Sequence, residues 1–184
     1  MAATIIDGKA LAEKVKTRTA AEAEGLKRRP GLAVILVGDD PASRVYVTGK
    51  EKDCAQCGFL SFEHKLEAST TQEELMALVE RLNHDDAVDG ILCQLPLPRH
   101  LDEEAVLNAI DPDKDVDCFH PVNVGRLSIG APVFLPCTPA GIMELLARYG
   151  ISCDGKECVV VGRSNIVGKP MAMLMLQANG TVTV

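Results

Sequence analysis

The sequence predicts an α/β fold, with a mainly parallel sheet covered by helices and then a second, shorter α/β unit. Three observations carry this. Short apolar runs alternate with longer helical stretches along the chain, the pattern of parallel strands joined by crossover helices. LAVILV (32–37) is continuously apolar and GILCQL (90–95) is apolar but for Gln94, as strands buried on both faces are. Near Cys158 the pattern restarts, with ECVVV (157–161), a glycine-bounded turn and a Met- and Leu-rich helix.

Each element has a local signal. Asp7 can cap a helix over 8–26. After the strand at 32–37, residues 41–57 read as a helix with Gly58 as its C-terminal stop. Residues 60–66 alternate as a strand. Thr71 and Glu74 have the spacing of a capping box, and Leu75, Leu78, Val79 and Leu82 form a helical stripe behind it. The strand at 90–95 is stopped by Pro96 and Pro98, and 102–110 is a short helix. Residues 111–137 are rich in Pro, Gly, Asp and Asn and read as one long loop, a place where function concentrates. Thr138 is expected to cap the next helix, with Pro139 in its first turn, Ile142, Leu145, Leu146 and Tyr149 on one face and Gly150 at its end. A strand at 157–161, a turn at 162–168, a helix to 179 and a strand start at 181–184 follow. This last unit has too few strands to bury both faces of a sheet, so truncation is expected.

Composition narrows the function classes. The chain has 184 residues, 47% apolar and 24% charged, as in water-soluble globular proteins. No apolar run reaches the roughly 18 residues of a bilayer span, and the N-terminus mixes charge and apolar residues too early for a secretory signal. A cytoplasmic location and no membrane partner are expected. The net charge is −7 with no basic stripe, which argues against nucleic acid as a partner. Seven scattered cysteines read as reduced thiols. Cys54 and Cys57 form one C-x-x-C, but no second ligand pair stands at zinc spacing, so packed thiols are expected there and no metal. His64, His84, His100 and His120 share no metal spacing, and His120 is given no catalytic role.

Four places could carry chemistry. Tyr46 and Lys50 stand four apart in a predicted helix and so share a face. A lysine held beside an aromatic ring and a cationic ligand is biased toward its neutral form and can serve as an acid or base; the alternative is a solvated face with a snorkelling lysine. Gln94 ends a strand, where ligands bind in open α/β sheets, and offers both a donor and an acceptor; alternatively, its amide satisfies loop backbone. Asp113, Asp115 and Asp117 crowd the long loop. They lack the central glycine and closing glutamate of a calcium loop, and one could accept from the N–H groups of a heterocycle or all could line a solvated turn. Gly162 to Gly168 follows a strand and opens a helix, where a dinucleotide pyrophosphate meets helix N–H groups. It reads G-x-S-x-x-x-G, without the second glycine of the generic fingerprint. Arg163 there offers a planar fork to a phosphate or is a surface residue.

Taken in order, VGDDPASRVYVTGKEKDC (37–54), GILCQLPLP (90–98), PDKDVDCFHPVNVGRL (112–127), PCTPAGI (136–142) and VVVGRSNIVGKP (159–170) resemble one family. It is the bifunctional methylenetetrahydrofolate dehydrogenase/methenyltetrahydrofolate cyclohydrolase family, and the resemblance covers nearly the whole chain. It implies an N-terminal α/β catalytic domain (1–138) that binds a tetrahydrofolate derivative. A partial Rossmann-type NAD(P)-binding domain (139–184) follows, with NADP favoured over NAD, and the enzyme is expected to be a homodimer. By the same resemblance Tyr46 packs on the folate ring, Lys50 is the catalytic lysine and Gln94 works beside it. Leu95, Pro96 and Asp117 complete the substrate-binding set, with Asp117 holding the pterin. Gly162, Arg163, Ser164, Ile166, Val167 and Gly168 form the cofactor-binding turn, with Arg163 near the extra phosphate of NADP. Two departures stand out: Cys118 where the family pattern has Gly, and Cys93 where it has an aliphatic residue. Two other readings stay open on sequence grounds: another two-domain Rossmann oxidoreductase, and an inactive module that binds folate or dimerises.

Overall fold

The first strand sets the architecture. β1 (Gly31–Val37) buries nearly every residue, and because successive side chains of a strand point to opposite faces, it feeds two separate cores. Ala33, Ile35 and Val37 pack on one side with Leu75, Leu78, Val79, Leu82, Ile91 and Val106. Val34 and Leu36 pack on the other side with Val47 and Leu92. A continuously apolar run therefore needs helices on both faces, and the computed structural model, which describes residues 3–184, supplies them.

In chain order, α1 (Gly8–Glu24) precedes β1 and is followed by α2 (Pro41–Gln56), β2 (Leu60–Leu66), α3 (Gln72–Asn83), β3 (Gly90–Cys93), α4 (Glu103–Ala109) and α5 (Pro121–Ser128). Then come α6 (Cys137–Arg148), β4 (Glu157–Val159), α7 (Gly168–Gln177) and β5 (Thr181–Thr183). The first sheet has the order β2-β1-β3 with all strands parallel, and β4 and β5 pair in parallel as a second sheet. The chain divides into two compact units: Glu13–Val116, which holds the first sheet, and the described residues up to Ala12 with Asp117–Val184, which hold the second.

Within the Glu13–Val116 unit, α3 carries the amphipathic stripe read from the sequence. Leu75, Leu78, Val79 and Leu82 are all buried, each contributing roughly 1.5–3 kcal/mol relative to exposure. Thr71 and Glu74 form the capping box reciprocally, with Glu74 N–H donating to Thr71 Oγ1 and Thr71 N–H to Glu74 Oε2. Asp40 caps α2 by accepting from Ser43 N–H at 2.8 Å, with Pro41 at the first helical position, where its missing N–H costs no bond. Those Ser43 hydrogen bonds, backbone and then hydroxyl, hold the Asp40 carboxyl below the usual carboxylate range. Cys54 and Cys57 are buried thiols, each pushed up chiefly by desolvation.

In the other unit, Asp7 caps α1 through Ala10 N–H at 2.9 Å, and its own N–H donates to the Tyr149 hydroxyl at the end of α6. Cys118, Leu127, Met171 and Leu174 form the core beneath α5 and α7.

Three sequence expectations are corrected. Residues 111–137 are not one loop: α5 lies inside them. Pro121 stands at its start, and the His120 ring accepts from Val122 N–H, so residues that look like breakers act as an N-terminal signal. Thr138 does not cap α6; the helix begins at Cys137 with Pro136 as the cap residue and no side-chain cap bond. β3 and β4 end two residues short of the predicted strands, at Cys93 and Val159: β3 gives way to the polar Gln94, and the partner of β4, β5, ends at Thr183. No helix among the described residues is long and apolar enough to cross a membrane.

Candidate active site

At the carboxyl end of the first sheet, the backbone turns outward just after β3. Gln94 N–H still donates to Ile35 O at 2.9 Å, so the residue is fixed by the sheet although it lies one position past the strand. Its side chain is oriented from both ends. Nε2 donates to Leu95 O at 2.8 Å, which points Oε1 the other way, and that oxygen accepts from Lys50 Nζ at 3.0 Å. Leu95 and Pro96 follow directly, joined by a cis peptide.

Lys50 reaches this point because α2 packs against the same sheet. Val47 is buried under Val34, Leu36 and Leu92, which sets the rotation of the helix. Lys50 is half-buried, and Tyr46, one turn earlier, is 65% exposed. A tyrosine that exposed is not a core residue, and burying its ring awaits something else. The structure thus joins Lys50, Gln94 and Leu95 by hydrogen bonds and places Tyr46 one turn from Lys50 on the same helix. An amine hydrogen-bonded to a neutral carboxamide is held in place without an ion pair that would lock its charge state. That suits an amine that must take up and release a proton.

The second predicted site lies in the other unit. Gly162 has φ +148 and lies in open space, whereas a Cβ on Gly168 would overlap the carbonyl of Gly162. The two glycines therefore permit a close backbone approach where α7 starts. Ser164 Oγ accepts from Val167 N–H at 3.1 Å and Gly168 N–H at 3.3 Å. The serine that breaks the generic fingerprint thus ties the turn together where α7 begins, while Val167 is the cap residue and has no side-chain cap bond. Arg163 and Ile166 are exposed, Val167 is half-buried, and Lys169 Nζ donates to Asn165 Oδ1 at 2.7 Å across the turn. An open, glycine-bounded turn with an exposed guanidinium fits a phosphate-bearing cofactor.

Asp117 is half-buried, and Cys118 after it is buried with φ +59. No cluster of three or more His, Cys, Asp or Glu suited to a metal occurs among the described residues.

Comparison with known proteins decides the family. Residues 6–117 match the tetrahydrofolate dehydrogenase/cyclohydrolase catalytic domain, and residues 136–184 match the NAD(P)-binding domain of the same enzymes. The chain belongs to the tetrahydrofolate dehydrogenase/cyclohydrolase family. It is 65% identical to the bifunctional protein FolD of Acetivibrio thermocellus over 187 aligned residues, covering 100% of this chain and 66% of that protein. The crystal structure of the bifunctional FolD enzyme from Campylobacter jejuni superposes with a TM-score of 0.97 at 51% identity, covering 100% of this chain and 66% of that one. The Trypanosoma brucei FolD, solved with NADP cofactor and inhibitor, gives 0.95 at 44% identity, covering 99% and 64%. The chain thus spans about 66% of the length of the curated relatives it matches. The α/β folding pattern with two family domains agrees with the fold class read from the sequence.

Proposed function

We propose that this chain acts on one-carbon derivatives of tetrahydrofolate, oxidising 5,10-methylenetetrahydrofolate with NADP and hydrolysing the resulting 5,10-methenyltetrahydrofolate to 10-formyltetrahydrofolate. Membership of the family and the activities for which its relatives are named support the reaction class. The observation that carries the site is the 3.0 Å hydrogen bond from Lys50 Nζ to Gln94 Oε1, with the exposed Tyr46 ring one turn away.

Each residue has a role in this reading. Tyr46 offers its ring face to the pteridine. Asp117 accepts from the N–H groups of the pterin, which fixes the orientation of the folate. Loss of a hydride from the methylene carbon leaves a delocalised cation on the folate, and the nicotinamide, when bound, supplies the hydride acceptor. A cation beside an amine favours the neutral amine. Lys50 can then take the proton of the water that adds to the methenyl carbon and return it to the ring nitrogen as the carbon–nitrogen bond opens. Gln94 holds Nζ in place throughout, and Leu95 O holds Gln94. Leu95 and Pro96 complete the wall of the folate site. In the second unit Gly162, Ser164, Ile166, Val167 and Gly168 shape the turn for the NADP phosphates, with Arg163 directed at the extra phosphate. We assign 1–138 to the folate-binding domain and 139–184 to the cofactor-binding one. A cytoplasmic location and a homodimer belong to the same proposal and rest on the family resemblance alone.

The test is the rate of 5,10-methenyltetrahydrofolate hydrolysis, measured on this protein carrying Lys50→Met. Proton transfer of this kind is worth about 10²–10⁴-fold, so the variant should lose essentially all cyclohydrolase activity. A wild-type rate in the variant would remove Lys50 from the mechanism.

A further inference from the structure

Two of the cysteines, both outside the proposed mechanism, meet in space. Cys153 opens a tight turn and Cys158 stands on β4 just after it. The turn is closed by Lys156 N–H, which donates to Cys153 O at 2.9 Å. It is also tied to the chain leading into β5. Gly155 N–H donates to Asn179 O at 3.0 Å, and Thr181 N–H donates to Lys156 O at 2.8 Å. Cys158 stands in register with Val182 of β5. A Cβ on Gly180 would lie 3.1 Å from Cys158 Sγ and 3.4 Å from Cys153 O, so the missing side chain makes room for that sulfur. The chain thus returns on itself, and the Cys153 thiol is hydrogen-bonded to Cys158. Cys158 Sγ in turn donates to Lys156 O at 3.7 Å.

The two thiols differ in access. Cys153 is 7% exposed, whereas Cys158 is half-buried. Burial foremost, and then the neighbouring Cys158, pushes the Cys153 thiol up, so it is the poorer first nucleophile. The C-x-x-C of α2 is placed differently: Cys54 and Cys57 are both buried, and the Cys57 thiol donates to Lys16 O at 3.8 Å.

We propose that Cys153 and Cys158 are a redox modification site, a thiol pair that a small disulfide such as glutathione disulfide converts reversibly to an intramolecular disulfide. Cys158, the more accessible, loses its proton and attacks the glutathione disulfide. A mixed disulfide forms and one glutathione thiolate leaves. Cys153 then loses its proton and attacks the Cys158 sulfur, forming the Cys153–Cys158 bond and expelling the second glutathione. The pair gives up two electrons and two protons, and one glutathione disulfide becomes two glutathione thiols. A dithiol reductant reverses both steps. The bond fastens the entry to β4, the strand that precedes the Gly162 turn. It is independent of the folate reading.

The test is peptide mapping by mass spectrometry of the 184-residue chain, incubated folded with glutathione disulfide and then unfolded in excess alkylating agent. Cys153 and Cys158 should escape alkylation and appear as one cross-linked species, and dithiothreitol should restore alkylation at both. In Cys153→Ser, Cys158 should stay as the glutathione mixed disulfide, because nothing displaces it. In Cys158→Ser, Cys153 should remain alkylatable. The wild-type map identifies the bond by itself, so the test survives a variant that does not fold. Full alkylation of both cysteines in the wild type, a persistent glutathione adduct on Cys158, or either sulfur linked to a different cysteine would overturn the proposal.

Discussion

Lys50 and Gln94 lie 44 positions apart in sequence yet share a hydrogen bond, and what brings them together is ordinary packing. Val47 fixes the rotation of α2, and the Ile35 carbonyl fixes the backbone of Gln94. The sequence placed Lys50 on a helix and Gln94 at a strand end but could not show that Leu95 O turns the amide so that its oxygen faces the amine. Gln94→Ala leaves Lys50 without that acceptor, and cyclohydrolase activity should fall roughly 10–100-fold with less change in folate affinity; steady-state kinetics check this. Gly168→Ala should abolish measurable NADP binding, read by titration, because the new methyl overlaps the Gly162 carbonyl and forces the turn apart. Cys118 sits at φ +59 yet is buried against Leu127, Met171 and Leu174. A left-handed L-residue costs about 1–2 kcal/mol, while a small buried side chain returns about 1 kcal/mol. Thermal denaturation should therefore rank Cys118→Gly at least as stable as Cys118→Ala, although glycine deletes more. An Ala variant more stable than the Gly variant would contradict the strain argument.

At the level of elements, legibility followed the strength of the local signal. The stripe and capping box of α3 were plain in the sequence, and Thr71→Ala should cost about 1 kcal/mol, read as a fall of a few degrees in Tm. α5 was missed because Pro121, Asn123 and Gly125 read as loop residues one at a time. Only in three dimensions does His120 cap the helix and Leu127 find a core. The turn at 162–168 was located in the sequence, but not the part of its serine, which stands in place of the second glycine and accepts from Val167 and Gly168 N–H where α7 begins.

For the whole molecule, the two-sided core around β1 is the largest source of stability in the Glu13–Val116 unit, and electrostatics modulate it. Asp89 accepts from both Arg28 guanidinium nitrogens, at 2.6 and 2.7 Å, and from Gly31 N–H. The Arg28 hydrogen bond foremost holds its carboxyl low. A carboxyl depressed in the fold stabilises above its unfolded value and loses that contribution as pH falls through its folded value, so stability drops below about pH 4. His64 on β2 is held low chiefly by burial and then by Arg81, and its Nε2 is buried without a partner. The fold prefers the neutral ring, so this contribution is full above about pH 6.5 and declines as pH falls from there toward the lowered folded value. Tm should accordingly fall in two stages on acidification, and His64→Phe should remove the earlier stage. A Tm flat from pH 7 to pH 5 in the wild type would contradict it.

The convergence of Tyr46, Lys50 and Gln94 on one folate is tested most directly by an isotope-edited NMR titration of the 184-residue chain with 5,10-methenyltetrahydrofolate. The largest saturable shifts should fall on the Tyr46 ring, the Lys50 ε-methylene, the Gln94 side-chain amide and the Leu95 backbone. Saturable binding that leaves those four groups unmoved, or no binding at all, would contradict the assignment.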